Sequence, residues 1–176
     1  MCSIRTAESV CAGHPDKLAD QIADQILDDI LYDDKAARVA VEVMAAGRRI
    51  IVTGEITTNH RPRIRESVRT ALARAGYSPL GILIYVWTRR QSSDINAGVT
   101  TSLEARGGDS SAFALQGAGD QGTVYGYATA ETPERLPLPL VLAHRICERL
   151  DTAQVEGTIC GIKSDGKAQV LSLIHI

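Results

Sequence analysis

The sequence predicts an α+β fold with mixed or antiparallel sheets and helices on one face. Three observations lead there. Apolar residues recur at helical spacing over residues 15–31. Two β-patterned runs, "ARVAVEVMAA" and "RRIIVTGEITT", then follow with little more than Ala46-Gly47 between them. The predicted order is helix–hairpin–helix–strand, then strand–helix–strand–strand, and it does not alternate strictly enough for a doubly wound parallel sheet.

The elements are justified in turn. Leu18, Ile22, Ile26, Leu27, Ile30 and Leu31 make one apolar stripe, which predicts a helix. Pro15 suits its first turn, where the missing N–H is not needed. Asp16, Asp20, Asp24 and Asp28 repeat every four residues as an acidic, solvated stripe. The two β runs read as a hairpin. "RPRIRESVRTALARAGY" reads as a helix ended by Gly76, and "GILIYVW" as a buried strand. Residues 88–116 form a long loop with little periodicity, of the kind that serves as a lid, a binding loop or a link. "GTVYGYATAE" is strand-like, "LPLPLVLAHRICERLDTA" is helical after a Pro-rich entry, and "GTICGIKSDGKAQV" reads as strand, turn, strand. His144, on the apolar side of its helix, reads as a packed, hydrogen-bonded histidine, and His60 as a surface residue.

Composition narrows the classes of function. The 176 residues are 44% hydrophobic and 23% charged, as in an ordinary globular protein. A net charge of −2 does not suggest a nucleic-acid or anionic-membrane partner. The apolar runs are too short to span a bilayer, and "MCSIRTAESV" lacks a signal-peptide core. Cys2, Cys11, Cys147 and Cys160 form no CxxC pair and no zinc spacing, so they read as reduced thiols of a cytoplasmic protein.

Two motifs mislead. "GAGDQG" matches G-x-G-x-x-G, but a polar loop precedes it, a strand-like run follows, and no acid stands about twenty residues on, so it is not a dinucleotide fingerprint. "GIKSDGKA" ends in Ala168 where a P-loop needs Ser or Thr, and β-patterned sequence follows it. It is either a surface turn or a lysine-bearing turn that meets phosphate by another architecture.

One cluster carries chemistry. His14, Asp16 and Lys17 sit at the start of the first helix, where backbone N–H groups and the helix dipole attract anions. Asp16 can hold Mg²⁺, a hard cation that bridges to phosphate oxygens. From the residues alone, a polyphosphate–metal site and a simple helix cap stand level. Glu42 and Glu55 alternate with apolar residues and, by themselves, read as solvent-facing strand carboxylates. Asp120 among glycines reads as turn chemistry. Arg89 and Arg90 read as solvated loop charges.

Further segments break that tie. "ESVCAGHPDKLADQIADQILD", "GEITT", "QSSDINAGV", "GAGDQGTVYGYATAE" with "PLPLVLAHRI", and "DGKAQV" resemble, in this order, the signature segments of the S-adenosylmethionine synthetase (methionine adenosyltransferase) family. The resemblance covers residues 8–170 and implies the pseudo-repeated domains of that fold, here truncated: an N-terminal domain over 1–99, a loop over 100–116 and the start of a central domain over 117–170. It implies the synthesis of S-adenosylmethionine from ATP and L-methionine, with Mg²⁺ and K⁺ as cofactors. It also implies a homodimer or dimer of dimers with the active site at the subunit interface. The alternative is a non-catalytic nucleotide-binding module of the same fold, against which the full set of His14, Asp16, Glu55 and Lys167 argues.

The resemblance assigns roles residue by residue. His14 would contact the leaving phosphates of ATP as the main electrostatic catalyst. Asp16 would bind Mg²⁺, and Glu42 would lie at the K⁺ site. Glu55 would receive the methionine ammonium, with Gln91 and Asp120 also at the methionine site. Asp165 and Lys167 would contact ATP, Lys167 through phosphate. The sequence departs from the family at "ICGIKS", where a Pro-Trp-containing lead into "DGK" is usual, and in the longer, more polar stretch 100–115. The last six residues, "LSLIHI", do not resemble the family and are what a transposon-end sequencing adapter encodes in one frame, so an adapter-derived tail is expected over 171–176. A chain of this extent is expected to be inactive by itself.

Overall fold

A computed structural model of the chain describes residues 2–91, 102–116 and 122–175. It contains strand β1 (Cys2–Val10), helix α1 (Pro15–Asp33), strands β2 (Arg38–Ala46) and β3 (Arg49–Thr57), helix α2 (Ile64–Arg74) and strand β4 (Leu83–Arg89). Two short helices follow, α3 (Leu103–Arg106) and α4 (Ala112–Gln116), then helix α5 (Leu138–Glu156) and strand β5 (Lys167–His175).

The first sheet is mixed, in the order β2-β3-β4. β2 and β3 form an antiparallel hairpin in which Ala46 faces Arg49, so Gly47 and Arg48 make a two-residue loop. Gly47 takes φ +56°, the left-handed conformation that the first position of such a loop favours. β4 returns parallel to β3 after the α2 crossover. Strand alternation then sorts the side chains. Ile50, Val52 and Ile56 of β3 face one way, toward Leu18, Ile22, Ile26 and Ile30 of α1 and Ile64, Val68, Ala71 and Leu72 of α2. Ile22 and Ile26 retain no exposed surface. Burying each such side chain contributes about 1.5–3 kcal/mol, which makes this stripe the main source of α1's stability. The acidic stripe of α1 faces solvent, as its spacing requires.

The second sheet pairs β1 with β5, antiparallel, in a register that sets Cys2 against His175 and Val10 against Lys167. Residues 171–175 continue β5 and pair with residues 2–6. α5 covers this ribbon through a small core of Cys11, Cys147 and Ala168, with Leu150 packed against it. Thus both sheets carry their helices on one face, and the turn between β1 and α1 joins them.

Several expectations change. β1 was not foreseen as a strand, because its partner lies at the far end of the described chain. "GILIYVW" is a strand covered on one side only: Ile84 and Val86 pack on the core, whereas Leu83, Tyr85 and Trp87 are exposed. Residues 122–130 of "GTVYGYATAE" form no strand, and Val124, Tyr125 and Tyr127 are exposed. A β-patterned run needs a partner strand, and none of the described residues pairs with it. "GTIC" is turn rather than strand. His144 is exposed, not packed, because α5 turns Val141, Ala143 and Cys147 inward instead. His60 is exposed as expected. Among the described residues, no helix is long and apolar enough to cross a membrane.

Candidate functional site

The site begins at the N-terminus of α1. His14 is the N-cap, extended at φ −62° and ψ 137°, and Pro15 opens the first turn. The His14 Nδ1 accepts the backbone N–H of Asp16 at 3.3 Å. In a neutral imidazole that leaves the proton on Nε2, a donor free to point away from the helix. The Asp16 carboxylate lies 3.9 Å from the same Nδ1 and its side chain is 93% exposed. Capping the helix therefore uses only one of the two ring nitrogens of His14.

Residues Cys11–Gly13, just before this cap, are held at every backbone polar group. The Cys11 N–H donates to the Gly166 carbonyl at 2.8 Å, and the Cys11 carbonyl accepts from the His14 N–H at 3.1 Å. The Ala12 N–H donates to the Asp151 carboxylate, 3.1 and 3.2 Å from its two oxygens. The Ala12 carbonyl accepts from the Gln21 side-chain amide at 2.7 Å. The Gly13 N–H donates to the Ser164 carbonyl at 3.0 Å, and the Gly13 carbonyl accepts the Tyr77 hydroxyl at 2.6 Å. Six groups thus find six partners, from α1, α5, the segment after α2 and the loop before β5. Buried backbone groups must be paired, and here the pairing draws on the adjacent helix and on three distant parts of the chain. Glycine at 13 is required by space: a Cβ there would lie 2.4 Å from the Ser164 Cβ and 2.6 Å from its carbonyl oxygen.

This clamp brings the His14–Asp16 turn and the Asp165–Lys167 segment together. Asp165 is exposed beside Tyr77. Burial first, and then the Asp165 charge, raises the Tyr77 hydroxyl above its ordinary pKa, so it stays a proton donor. Lys167, first residue of β5, forms an ion pair with Glu8 of β1 at 2.5 Å between Nζ and Oε2. Gln169 donates to the other oxygen of Glu8 at 3.1 Å. Lys17 donates to the Val10 carbonyl at 2.7 Å. Burial, followed by the Asp151 and Cys147 side chains, pushes the Cys11 thiol up to about 12.

Glu42 and Glu55 lie on the first sheet, on the face turned away from α1 and α2. Glu55 of β3 is 18% exposed and pairs with Arg89 of β4, its register partner, at 3.2 Å. Glu42 of β2 is exposed and sits diagonally across from Glu55, opposite Thr53. Gln91, two residues past Arg89, has a buried side-chain oxygen without a hydrogen-bond partner. Asp120 lies outside the described residues. Met44, Leu83, Tyr85 and Trp87 complete that face as exposed apolar groups.

Among the described residues, no group of three or more His, Cys, Asp or Glu side chains is arranged to hold a metal ion. The donor set at the turn nevertheless fits Mg²⁺, which takes one or two carboxylates and completes its shell with phosphate and water oxygens. Asp16, exposed at the helix start, is such a carboxylate. Glu42 offers one oxygen donor group on the sheet face.

Sequence reasoning missed Glu8, Tyr77 and Asp151. Glu8 opens the motif run itself, and its signal was its place just ahead of the turn. Tyr77 follows the helix-ending Gly76, an ordinary position. Asp151 gave no signal, since one acid on an amphipathic helix is unremarkable.

The architecture is mixed α+β, with a capped helix start held against the loop before β5. The chain matches the family "S-adenosylmethionine synthetase, N-terminal domain" over residues 3–95 and "S-adenosylmethionine synthetase, central domain" over residues 115–173. It belongs to the S-adenosylmethionine synthetase family. It is 47% identical over 175 residues to an S-adenosylmethionine synthase of Kosmotoga olearia, covering 96% of this chain and 44% of that protein. It is 44% identical over 175 residues to S-adenosylmethionine synthase 1 of Frankia casuarinae, covering 94% of this chain and 43% of that protein. The chain therefore spans less than half the length of these relatives.

Proposed function

We propose that this chain is part of an enzyme that makes S-adenosylmethionine from ATP and L-methionine. The methionine sulfur attacks C5′ of ATP, the C–S bond forms as the C5′–O bond breaks, and triphosphate leaves. The triphosphate is then hydrolysed to pyrophosphate and phosphate. The thioether is neutral and needs no base, so the work is positioning and the stabilisation of charge on the leaving chain. The observation that carries this reading is the clamped turn, which fixes His14 in the same neighbourhood as the Asp165–Lys167 segment.

In this reading the His14 Nε2–H donates to the leaving phosphates, and Lys167 exchanges Glu8 for phosphate oxygens. Asp16 holds Mg²⁺, which supplies charge neutralisation on the phosphates when bound. Glu42 contributes to K⁺ binding. Glu55, already engaged with a cation in Arg89, receives the methionine ammonium, with Gln91 and Asp120 beside it. The outward sheet face, with its exposed Met44, Leu83, Tyr85 and Trp87, is the surface on which a second subunit completes the site. The enzyme works in the cytoplasm, and the 176 residues alone do not turn over.

The test is to extend the reading frame beyond codon 170 from genomic DNA, express the longer protein, and assay product from methionine and MgATP with K⁺. His14→Ala is run beside it. Product formation that collapses in the variant supports the reading. A folded, ATP-binding protein that makes no product overturns it in favour of a binding module. The same genomic sequence tests the adapter origin of residues 171–176, which the six codons reappearing there would overturn.

A further inference from the structure

We infer that Asp151 is a positioning residue: its carboxylate holds the Cys11–Gly13 turn in place and so sets the attitude of His14. Its link to phosphate rests on the function proposed above, whereas its link to the turn does not. The N–H groups on either side of Ala12 are tied to backbone carbonyls, those of Gly166 and Ser164. The Ala12 N–H alone among the three goes to a side chain, and that side chain is charged. α5 presents it one turn beyond Cys147, whose carbonyl oxygen lies 3.8 Å from the Cys11 sulfur. One helix face therefore meets two consecutive residues of the turn, Cys147 at Cys11 and Asp151 at Ala12.

Packing does not call for a carboxylate here. The neighbouring core is Cys11, Cys147, Ala168 and Leu150, which an apolar side chain would suit. Nor does polyanion binding favour one, since a negative charge against the turn that carries His14 opposes phosphate. What a carboxylate does supply is a strong acceptor, aimed by a rigid helix at one amide. Holding that amide fixes the peptide plane two residues before His14. The imidazole is then set in place before any ligand arrives, which is where catalytic sites gain most from a rigid scaffold.

The charge cost and the geometric gain predict opposite effects, so two substitutions separate them. Asp151→Asn removes the charge and keeps an acceptor oxygen, while Asp151→Ala removes both. Amide hydrogen exchange at residues 11–13 is measured in the longer protein expressed from the extended reading frame, together with binding of magnesium tripolyphosphate by calorimetry and the urea midpoint. Positioning predicts exchange at Ala12 roughly tenfold faster in Asp151→Ala and near wild-type in Asp151→Asn. Tripolyphosphate binding weakens in the first variant and is restored in the second. Unchanged exchange in Asp151→Ala overturns the inference, as does binding that tightens in both variants. If wild type does not bind tripolyphosphate but the exchange pattern holds, the phosphate reading fails and the positioning role stands. Asp151→Ser, too short to reach Ala12, replaces the alanine variant if that variant does not fold.

Discussion

The carbonyl oxygen of Gly13 accepts the Tyr77 hydroxyl at 2.6 Å, which ties the segment after α2 to the turn before α1 across a sequence separation of 64 residues. Tyr77→Phe keeps the ring and removes the donor. The Gly13 carbonyl is then left without its partner, and stability falls by about 1–3 kcal/mol. A shift of the urea midpoint with an unchanged m-value is the expected reading. An unshifted midpoint would mean that solvent satisfies the carbonyl as well as Tyr77 does.

Gly13 and Gly47 contrast two reasons for glycine. At Gly13 an added Cβ meets Ser164 backbone at 2.6 Å, where nothing flexible can yield. At Gly47 an added Cβ meets nothing within 4 Å, and only its φ of +56° is unfavourable. Gly47→Ala is therefore expected to cost about 1–2 kcal/mol. Gly13→Ala is expected to cost more, at or above the ~3 kcal/mol reached by overpacked sites. Thermal unfolding of the two variants side by side tests the order, which a costlier Gly47→Ala would reverse.

Alkaline pH should loosen the same turn. The Cys11 thiol is raised from 9.0 to about 12 by burial and by Asp151, and the Tyr77 hydroxyl is raised by burial and Asp165. Both groups hold their protons more tightly folded than unfolded. Their contribution to stability is thus complete below the unfolded pKa and is lost as pH rises through the folded one. For Cys11 that window runs from about pH 9 to about 12, with a slope approaching ~1.4 kcal/mol per pH unit. Denaturation midpoints collected from pH 8 to 11 should fall, and the fall should shrink in Cys11→Ala.

Thiol reactivity should divide along the same line. Cys160 is exposed, whereas Cys11 and Cys147 are buried. Iodoacetamide at pH 8 should label Cys160 quickly and the buried pair only after denaturant is added, because the thiolate is the reacting species. Mass spectrometry of native digests gives the answer. Rapid native labelling of Cys11 would show that the turn opens freely.

Local periodicity carried most of the first sheet. The four-residue spacing of Leu18, Ile22, Ile26 and Ile30 and the alternation through Val41 and Val52 each report a buried face, so α1, α2 and the hairpin were legible. β1 was not, since a strand is defined by its partner and that partner begins at Lys167. "GTVYGYATAE" failed the other way, with β-rich residues and no described strand to pair. At the site, the His14–Asp16 cap was legible from residue order. The clamp was not, because Tyr77, Asp151 and Ser164 act on the turn through space and leave no spacing in the sequence.

The pairing of β1 with β5 also orders events in time. Glu8 meets Gln169, 161 residues later. At a synthesis rate of about 5–20 residues per second, the opening strand waits on the order of ten to thirty seconds on the ribosome for its mate. α1, the hairpin and α2 have every contact they need long before then. Loop closure over such a span is slow, and topology of this kind sets folding speed. The turn that presents His14 is therefore among the last pieces to set, and until it does the newborn chain carries a bare β edge open to any passing strand.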